Sequence, residues 1–312
     1  MNVQENVELA PLTTFKIGGS SRYFIDVQHI DDLGAALDYA QTRNVPYFIL
    51  AGGSNTLVSD TGFEGVVIKI SFSKRAIDTE NKEITAEAGC SLMATIHGAA
   101  SAGLSGMESM YGIPGSVGGA VRGNAGAFGT EVKDVLKSAI ALNIETREMR
   151  TFSNKECRFS YRSSFFKRNP DWIILSATFT LQMEKEDGTA LARASETLSM
   201  RNERQIQDIQ SAGSFFLNPI VHKGLRTMFE DEKGVPAREN RVPAGWLIEK
   251  AGFKGVCMSG ACTGARSSNY VINDDTATAE SVRALVARIT DKVISDFGVE
   301  LHPEVTQVGF SA

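Results

Sequence analysis

The sequence contains few of the residues from which metal sites and disulfide frameworks are built. Its 312 residues include four cysteines and four histidines. The cysteines form no CxxC pair and the histidines no HExxH pattern, so we expect no metal site. We expect the thiols to be reduced and mostly buried, as is usual in a cytoplasm. The cysteines are Cys90, Cys157, Cys257 and Cys262.

The sequence also lacks an excess of positive charge and any long hydrophobic run. A net charge of −5 argues against a general nucleic-acid binder, because neutralising phosphates requires clustered Lys and Arg. The longest apolar runs, such as 47–51 and 172–175, suit buried strands and are too short to span a membrane. The polar segment Met1–Asn6 has neither the basic flank nor the apolar core of a secretion signal. We therefore expect a cytoplasmic protein that binds neither nucleic acid nor a membrane.

Hydrophobic periodicity predicts a mixture of strands and helices, and the length suggests two or three domains. A separate unit is predicted to begin near residue 205. One helix opens at Asp31 and Asp32, and another is bounded by Thr278 as N-cap and Gly298 as C′ residue. The predicted helices cover about 31–40, 91–102, 189–204 and 278–297. The predicted strands cover 22–27, 47–51, 66–70, 83–87, 138–143, 172–183 and 299–309.

A short segment rich in small residues, 52–56, follows the predicted strand that ends at Ala51. Backbone N–H groups of such a segment can approach an anion closely, and its hydroxyl groups add donors. The pattern matches neither GxGxxG nor the lysine-bearing P-loop, so an NAD(P) Rossmann enzyme or a Walker ATPase is disfavoured. Taken alone, a phosphate-binding loop and a tight connecting turn remain equal alternatives.

A second segment, 103–129, contains nine glycines in 27 residues. Glycine is costly inside helices and strands, so this density requires another explanation. Arg122 is the only charged residue between Glu108 and Glu131, and Pro114 stiffens the chain. A merely connecting loop of this length would carry more charge. The pattern therefore favours a backbone that wraps around a large, flat and partly apolar cofactor.

Ordered motifs along almost the whole chain, from about residue 12 to 309, resemble those of the UDP-N-acetylenolpyruvoylglucosamine reductases. Any one of them alone would be a weak signal, whereas their common order is a strong one. Arg162 and Ser214 are too close in sequence for the subgroup with an inserted, tyrosine-bearing lid loop, so the chain resembles the subgroup without it. The motifs are Thr14-Phe15, Gly18-Gly19, Ala51–Leu57, Gly103–Glu108, Gly112–Gly119, Tyr161–Ser164, Ala212–Phe216, Asn218-Pro219, Gly245–Ile248 and Leu301–Val305.

The resemblance implies an α+β fold. An FAD-binding domain of the vanillyl-alcohol-oxidase (PCMH) type would consist of two α+β subdomains, 1–70 and 71–204. A C-terminal α+β substrate-binding domain, 205–312, would return its last strand to the active site. FAD would be bound non-covalently by a monomeric protein. The implied cofactor-binding residues are Gly52, Gly53, Ser54, Asn55, Thr56, Gly112, Ile113, Pro114, Gly115, Ser116, Gly118, Gly119 and Asn124.

The implied activity is the NADPH-dependent reduction, through FAD, of the enolpyruvyl ether of UDP-N-acetylglucosamine to UDP-N-acetylmuramate, a peptidoglycan precursor. Flavin N5 would give hydride to the vinyl C3, and negative charge would develop at C2 and on the carboxylate. Arg162 would hold that carboxylate with its planar, permanently charged fork. Glu304 would assist in its protonated form, and Ser214 would deliver a proton to C2.

The substrate-binding residues that the resemblance implies are Tyr161, Arg204, Asn218 and Ser267. Arg204 stands where many relatives carry Lys, and Ser267 stands where many carry His. The resemblance therefore leaves open which residues contact the nucleotide. One alternative is an FAD oxidase or dehydrogenase of the same cofactor fold acting on another substrate. Another is a flavin-binding module that has lost catalysis. The joint presence of Ser214, Glu304 and Arg162 favours the reductase.

Overall fold

The computed structural model describes residues 1–186, 188–203 and 209–310. The chain divides into two compact units, each of which has its own hydrophobic core. Two short segments from the N-terminal third of the sequence belong to the second unit. The first unit comprises Met1–Val7, Ser21–Gly53 and Glu64–Glu203, and the second comprises Glu8–Ser20, Ser54–Phe63 and Arg204–Ala312.

Strands and helices alternate along the described part of the chain. The strands are β1 (Val3–Glu8), β2 (Ser20–Val27), β3 (Tyr47–Leu50), β4 (Thr56–Val58), β5 (Phe63–Ile70), β6 (Arg75–Asp78), β7 (Glu83–Glu87), β8 (Leu104–Ser105), β9 (Gly126–Ala127), β10 (Thr130–Glu131), β11 (Leu136–Asn143), β12 (Met149–Ser153), β13 (Trp172–Thr180), β14 (Gln182–Met183), β15 (Ser211–Ser214), β16 (Cys257–Met258), β17 (Ala261–Thr263), β18 (Tyr270–Asn273) and β19 (Thr306–Val308). The helices are α1 (Asp32–Thr42), α2 (Leu92–Ser101), α3 (Val117–Gly123), α4 (Val132–Val135), α5 (Phe165–Arg168), α6 (Thr189–Glu203), α7 (Lys223–Lys233), α8 (Ala244–Lys250) and α9 (Ala279–Phe297).

The first unit contains two larger sheets. One has the order β1-β2-β5-β3, in which β3 and β5 run parallel. The other has the order β12-β11-β13-β7-β6 and is antiparallel throughout. Helix α1 buries the predicted apolar face of Leu33, Ala36, Leu37 and Ala40 in the core of this unit. Burial of that face is the main physical reason for the helix to form here, as in most amphipathic helices.

The second unit is built around the antiparallel sheet β15-β18-β17-β16 and the long helix α9. Apolar residues of α9, among them Leu285 and Ile289, are fully buried in its core. Thr278 caps the N-terminus of α9 by accepting a hydrogen bond from the N–H of Ser281, and Gly298 ends the helix with φ of 64°. Both predicted ends of this helix are confirmed.

The segment Ser54–Phe63 is attached to the second unit at two places. Strand β4 pairs in parallel with β19, with Thr56 opposite Thr306. The carboxylate of Asp60 accepts hydrogen bonds from the N–H groups of Ala279 at 2.8 Å and Glu280 at 3.0 Å. These are N–H groups of the first turn of α9, which have no partner within the helix. An acidic side chain at this end also interacts favourably with the helix dipole.

Two predicted elements differ from the structure. The predicted strand 299–309 is wrong in extent, because only Thr306–Val308 is a strand. Pro303 lies in the preceding part and has no N–H group to donate to a ladder. The glycine-rich segment was expected to be a loop, but Val117–Gly123 is a helix. Apolar residues on one side of this helix, including Val117 and Val121, are buried in the core, which overcomes the low helix propensity of glycine.

The expectation that all four thiols are reduced is wrong for two of them. Cys257 and Cys262 form a disulfide across the hairpin of β16 and β17, where they lie directly opposite each other. A spacing of five residues did not reveal this pair, because the pairing depends on the register of the hairpin. Cys90 and Cys157 are free and buried, as expected.

Within the described residues, no helix is both long and apolar enough to cross a membrane. That part of the chain also contains no group of three or more His, Cys, Asp or Glu side chains suited to a metal ion. The predicted division at residues 70 and 204 stays a prediction.

The cysteines give a chemical test of this fold. Burial raises the pKa of the Cys157 thiol to about 12 and also raises the pKa of Cys90, so neither forms much reactive thiolate near neutral pH. We expect iodoacetamide to modify no cysteine of the native protein, and to modify Cys257 and Cys262 after mild reduction. Peptide mass spectrometry measures this, with the reduced, denatured protein as the control. Modification of Cys257 without reductant would contradict the disulfide.

Candidate active site

The two glycine-rich segments meet within the first unit. A Cβ atom placed on Gly52 would lie 2.7 Å from the Cα of Gly115, a separation that real Cβ atoms do not tolerate. Gly115 itself has φ of +115°, in the region that favours glycine. The contact thus requires a residue without a side chain at Gly52, so that the backbones of the two loops can touch.

Helix α3 follows this contact and has one packed face and one open face. Ser116 caps its N-terminus by accepting a hydrogen bond from the N–H of Gly119 at 3.2 Å. A Cβ on Gly118 would lie only 2.8 Å from the Cβ of Ala88, so that side is tightly packed. Apart from its chain neighbours and the backbone of α3 itself, no described atom lies within 4 Å of the Cβ position of Gly123, and Gly119 is exposed. The open face therefore presents backbone that a flat ligand can approach.

Arg162 is presented by a narrow turn in the first unit. Ser160 and Ser163 exchange two backbone hydrogen bonds of 3.0 Å, which leaves Tyr161 and Arg162 at the tip. Arg162 has φ of 51°, a left-handed conformation that is uncommon for non-glycine residues. Its guanidinium donates to the carbonyl oxygen of Gly126 at 3.0 Å and lies 5.2 Å from the centre of the Tyr161 ring. The backbone and these contacts together set the direction of the guanidinium.

Asn124 is buried, and its side chain organises the surroundings of Arg162. Its amide donates to Glu131 at 3.0 Å and to the carbonyl of Ser160 at 3.1 Å. Its side-chain oxygen accepts a hydrogen bond from the N–H of Lys133 at 3.0 Å. Glu131 lies 3.8 Å from Arg162. These contacts show Asn124 bonded to the protein itself. Its predicted cofactor contact is untested.

Ser214 lies at a bulge at the end of β15 in the second unit. Ser211 pairs with Ile272 and Ser214 with Tyr270, so β15 has one more residue than β18 between these pairs. Gly213 occupies the bulge with φ of +79°. A bulge changes the direction of the side chains that follow it, and such bulges are frequent beside active sites. Ser214 is half-buried in this edge strand of its sheet, while Phe215 and Phe216 are fully buried.

Glu304 is held beside the Ser214 strand by backbone hydrogen bonds. Its N–H donates to the carbonyl of Phe215 at 2.8 Å, and Phe216 forms a bridge with Pro303. The carbonyl of Glu304 accepts a hydrogen bond from the side-chain amide of Asn55 at 3.2 Å. The structure thus brings Glu304 next to the segment that carries Ser214 and connects it to the first glycine-rich motif.

The predicted substrate-binding residues have different surroundings. The side-chain oxygen of Asn218 accepts a hydrogen bond from the N–H of Ala244 at 3.0 Å, at the start of α8. Ser267 lies in the turn before β18, where its carbonyl accepts from the N–H of Tyr270 at 3.0 Å. Tyr161 lies beside Arg162 in the first unit. Arg204 falls outside the described residues.

Comparisons with known proteins identify the family. The model of an FAD binding domain matches residues 21–146, and that of the UDP-N-acetylenolpyruvoylglucosamine reductase C-terminal domain matches residues 204–308. The UDP-N-acetylenolpyruvoylglucosamine reductase of Carboxydothermus hydrogenoformans is 37% identical over 308 residues, which cover 98% of this chain and 94% of that protein. The chain belongs to the UDP-N-acetylenolpyruvoylglucosamine reductase family. The Pseudomonas putida reductase is 36% identical and is aligned over 96% of this chain and 97% of its own length.

A solved structure supports the same conclusion. The crystal structure of the UDP-N-acetylenolpyruvylglucosamine reductase of Thermus caldophilus has a TM-score of 0.78 to this chain at 28% identity, and the match covers 99% of both chains. The α+β fold class and the resemblance are therefore confirmed. As a member of this family, the chain is an FAD-dependent oxidoreductase.

The glycine contacts of the first unit fit FAD, the cofactor of this family. The close approach of Gly52 and Gly115 and the open face at Gly119 and Gly123 provide backbone without side-chain obstruction. Such backbone can donate N–H groups to a pyrophosphate and lie against a flat ring. The first motif is divided between the units, because Gly53 ends a segment of the first and Ser54 begins a segment of the second.

The structure places the three predicted catalytic residues in two groups. Ser214 and Glu304 lie on adjacent segments of the second unit, whereas Arg162 belongs to the first unit. Sequence reasoning missed Glu131, which lies near Arg162 and receives the Asn124 hydrogen bond. Its position at the end of a glycine-rich stretch with a single charged residue was visible in the sequence, but its partners were not.

Gly52→Ala tests whether the contact between the glycine loops supports FAD binding. The added Cβ forces the backbones of Gly52 and Gly115 apart, and overpacking of this kind costs about 1–3 kcal/mol. We expect FAD affinity to fall roughly tenfold to hundredfold, measured by titrating the apoprotein and following flavin fluorescence.

Gly34→Ala is the matched control. Gly34 lies within α1 of the same unit, and apart from its chain neighbours and the backbone of the helix itself, no described atom lies within 4 Å of its Cβ position. Alanine is also the better helix former, so this variant should bind FAD normally. Equal affinity of the Gly52→Ala and Gly34→Ala variants would show that the loop contact does not serve the cofactor.

Proposed function

We propose that this protein reduces the enolpyruvyl ether of UDP-N-acetylglucosamine to UDP-N-acetylmuramate, using NADPH as the reductant. The observation that carries the proposal is the 2.8 Å hydrogen bond from the N–H of Glu304 to the carbonyl of Phe215. It joins the segment of Glu304 to that of Ser214, which supports a reaction in which both residues act on one substrate. Membership of the reductase family supports the same substrate.

The reaction adds a hydride to C3 of the vinyl ether and a proton to C2. FAD, when bound non-covalently, supplies the hydride. The electron pair of the double bond then moves toward C2 and the carboxylate. The hydroxyl of Ser214 gives its proton to C2, which completes the new C–H bond and leaves an alkoxide that solvent reprotonates. Serine is a weak acid, so the basicity of the carbanion drives this transfer.

Glu304 acts on the carboxyl end of the same intermediate. Negative charge accumulates on the substrate carboxylate as C2 becomes carbanionic. A protonated Glu304 can donate a hydrogen bond there, whereas an ionised one would repel the charge. The main-chain bonds of Glu304 to Phe215 and Asn55 fix its backbone, which limits the motion available to its side chain.

Arg162 binds the substrate carboxylate in this proposal. Its guanidinium is oriented by the carbonyl of Gly126 and by Tyr161, and its side chain keeps 25% exposure, so part of it remains accessible to a ligand. Guanidinium groups bind carboxylates through paired N–H donors. The carboxylate of Glu131 lies 3.8 Å from the same guanidinium.

The nucleotide contacts belong to the same proposal. Tyr161, Asn218, Ser267 and Arg204 bind the remaining parts of the substrate. The side-chain oxygen of Asn218 is held by the N–H of Ala244, which fixes the position of its amide group. The cytoplasmic location, the monomeric state and the subgroup without a lid loop stay predictions.

An anaerobic experiment in two stages tests the function. The purified flavoprotein is reduced with NADPH, the enolpyruvyl nucleotide is added, and flavin absorbance and product mass are followed. We expect reduction by NADPH and then reoxidation coupled to formation of UDP-N-acetylmuramate. Reoxidation by oxygen alone would indicate an oxidase, and no reduction at all would indicate a flavin-binding module without catalysis.

Ser214→Ala tests the proton donor. We expect reoxidation by the enolpyruvyl nucleotide to fall by about 10²-fold or more, while NADPH still reduces the flavin at the normal rate. Stopped-flow absorbance separates the two half-reactions. Ser295→Ala, at an exposed position of α9, is the control and should leave both rates unchanged. An equal loss in both half-reactions of Ser214→Ala would contradict the role.

A further inference from the structure

The three residues that follow Ser214 have their backbone groups bonded on both sides. On one side, Glu304 donates its N–H to the carbonyl of Phe215 at 2.8 Å, and Leu217 donates its N–H to the carbonyl of His302 at 3.0 Å. On the other side, Asn269 forms hydrogen bonds with Phe215 and Phe216.

Asn269 makes three hydrogen bonds to this segment. Its main-chain carbonyl accepts from the N–H of Phe215 at 2.7 Å. Its side-chain oxygen accepts from the N–H of Phe216 at 2.9 Å, and its side-chain NH₂ donates to the carbonyl of Phe216 at 2.8 Å. The side chain thus replaces one residue of a β-strand, because it pairs with both backbone groups of Phe216. Among short side chains only an amide offers a donor and an acceptor in this geometry.

This pairing lies where the strand ladder would otherwise end. Strand β18 begins at Tyr270, which pairs with Ser214, and Asn269 immediately precedes it. The bulge at Gly213 loosens the ladder on the other side of Ser214. Ser214 therefore lies between an irregular stretch and a segment fixed by Asn269. Asn269 is 6% exposed, so water cannot readily replace its bonds.

We propose that Asn269 is a positioning residue for proton delivery, which sets the place of the Ser214 hydroxyl through the backbone of Phe215 and Phe216. This inference rests on the proposed function of Ser214. Loss of the amide frees Phe216 to shift, and Ser214, two residues earlier, shifts with it. A displacement of about 1 Å at a reacting group can reduce its rate up to roughly 10²-fold.

Asn273, the last residue of β18, provides a matched control. It is 7% exposed and also uses its side chain for buried contacts. Its NH₂ donates to the carbonyl of Phe15 at 3.2 Å and to Gln210 at 3.0 Å, and its side-chain oxygen accepts from the N–H of Ala277 at 3.0 Å. None of these contacts involves Phe215, Phe216 or Leu217, and the one to Gln210 lies just before β15 and before the bulge at Gly213. Removing either amide should lower the thermal midpoint to a similar degree, but only Asn269 should affect proton delivery.

The experiment compares Asn269→Ala, Asn269→Asp and Asn273→Ala with the wild-type flavoprotein. Asn269→Asp keeps the size of the side chain and the acceptor for the Phe216 N–H, but it loses the donor to the Phe216 carbonyl. This variant replaces Asn269→Ala if the alanine variant does not fold. Stopped-flow absorbance gives both half-reactions, and reoxidation is repeated in D₂O. Hydrogen exchange by mass spectrometry on the peptide containing Phe215 and Phe216 reports the backbone without any turnover.

For both Asn269 variants we expect faster amide exchange at Phe216 and about tenfold or more slower reoxidation. The solvent isotope effect should rise, because proton transfer becomes slower than hydride transfer. Flavin reduction by NADPH and the KM for the nucleotide should stay within about twofold to threefold of wild type.

Two results would overturn the inference. One is a reoxidation rate in both Asn269 variants equal to that of Asn273→Ala. The other is an equal loss in both half-reactions. If wild-type protein itself showed no reoxidation by the nucleotide, the proposed function would fail first, and the inference would fail with it.

Discussion

The hydrogen bond between the N–H of Glu304 and the carbonyl of Phe215 is the constraint on which the candidate chemistry depends. Ser214 and Glu304 come from distant parts of the sequence, and the proposed reaction uses both. A main-chain bond joins their segments independently of the side chains. The backbone therefore carries the structural function at this point.

The neighbours of this bond extend the same principle. The carbonyl of Glu304 receives the side-chain amide of Asn55, and the N–H of Thr306 donates to the carbonyl of Asn55 at 3.0 Å. Asn55 belongs to the first glycine-rich motif, predicted to hold FAD. A residue of a cofactor motif thus also fixes the backbone of a predicted acid. In the first unit, Asn124 and Glu131 surround Arg162 in a comparable way, with a buried amide bonded to the protein rather than directed outward.

Much of the fold could be predicted because local signals and packing agree. The helix over Ala279–Phe297 has a regular apolar stripe and good caps, so its position followed from the sequence alone. Strand β7 also matched its predicted range, because its local sequence signal and its packing agree. Helix α3 could not be predicted, since its glycines oppose a helix and only the buried side of that segment stabilises it. The disulfide of Cys257 and Cys262 depends on hairpin register, which a single spacing does not contain.

The site was predictable in its residue types but not in its supporting contacts. Ser214 and Arg162 were found through ordered motifs, because each motif keeps a recognisable sequence. Asn269 was not among the predicted site residues, because its pairing with Phe216 depends on how two distant segments meet. The bulge at Gly213 is an intermediate case, as a glycine before a candidate catalytic serine is a signal for irregular backbone.

A crystal structure of the oxidised protein with the enolpyruvyl nucleotide tests the central claim most directly. The decisive quantity is the distance from the Ser214 hydroxyl oxygen to C2 of the enolpyruvyl group. The account predicts a distance of about 3–3.5 Å, with the Glu304 carboxyl group in contact with the substrate carboxylate. A hydroxyl well beyond that reach, or a Glu304 side chain turned away from the substrate, would contradict it.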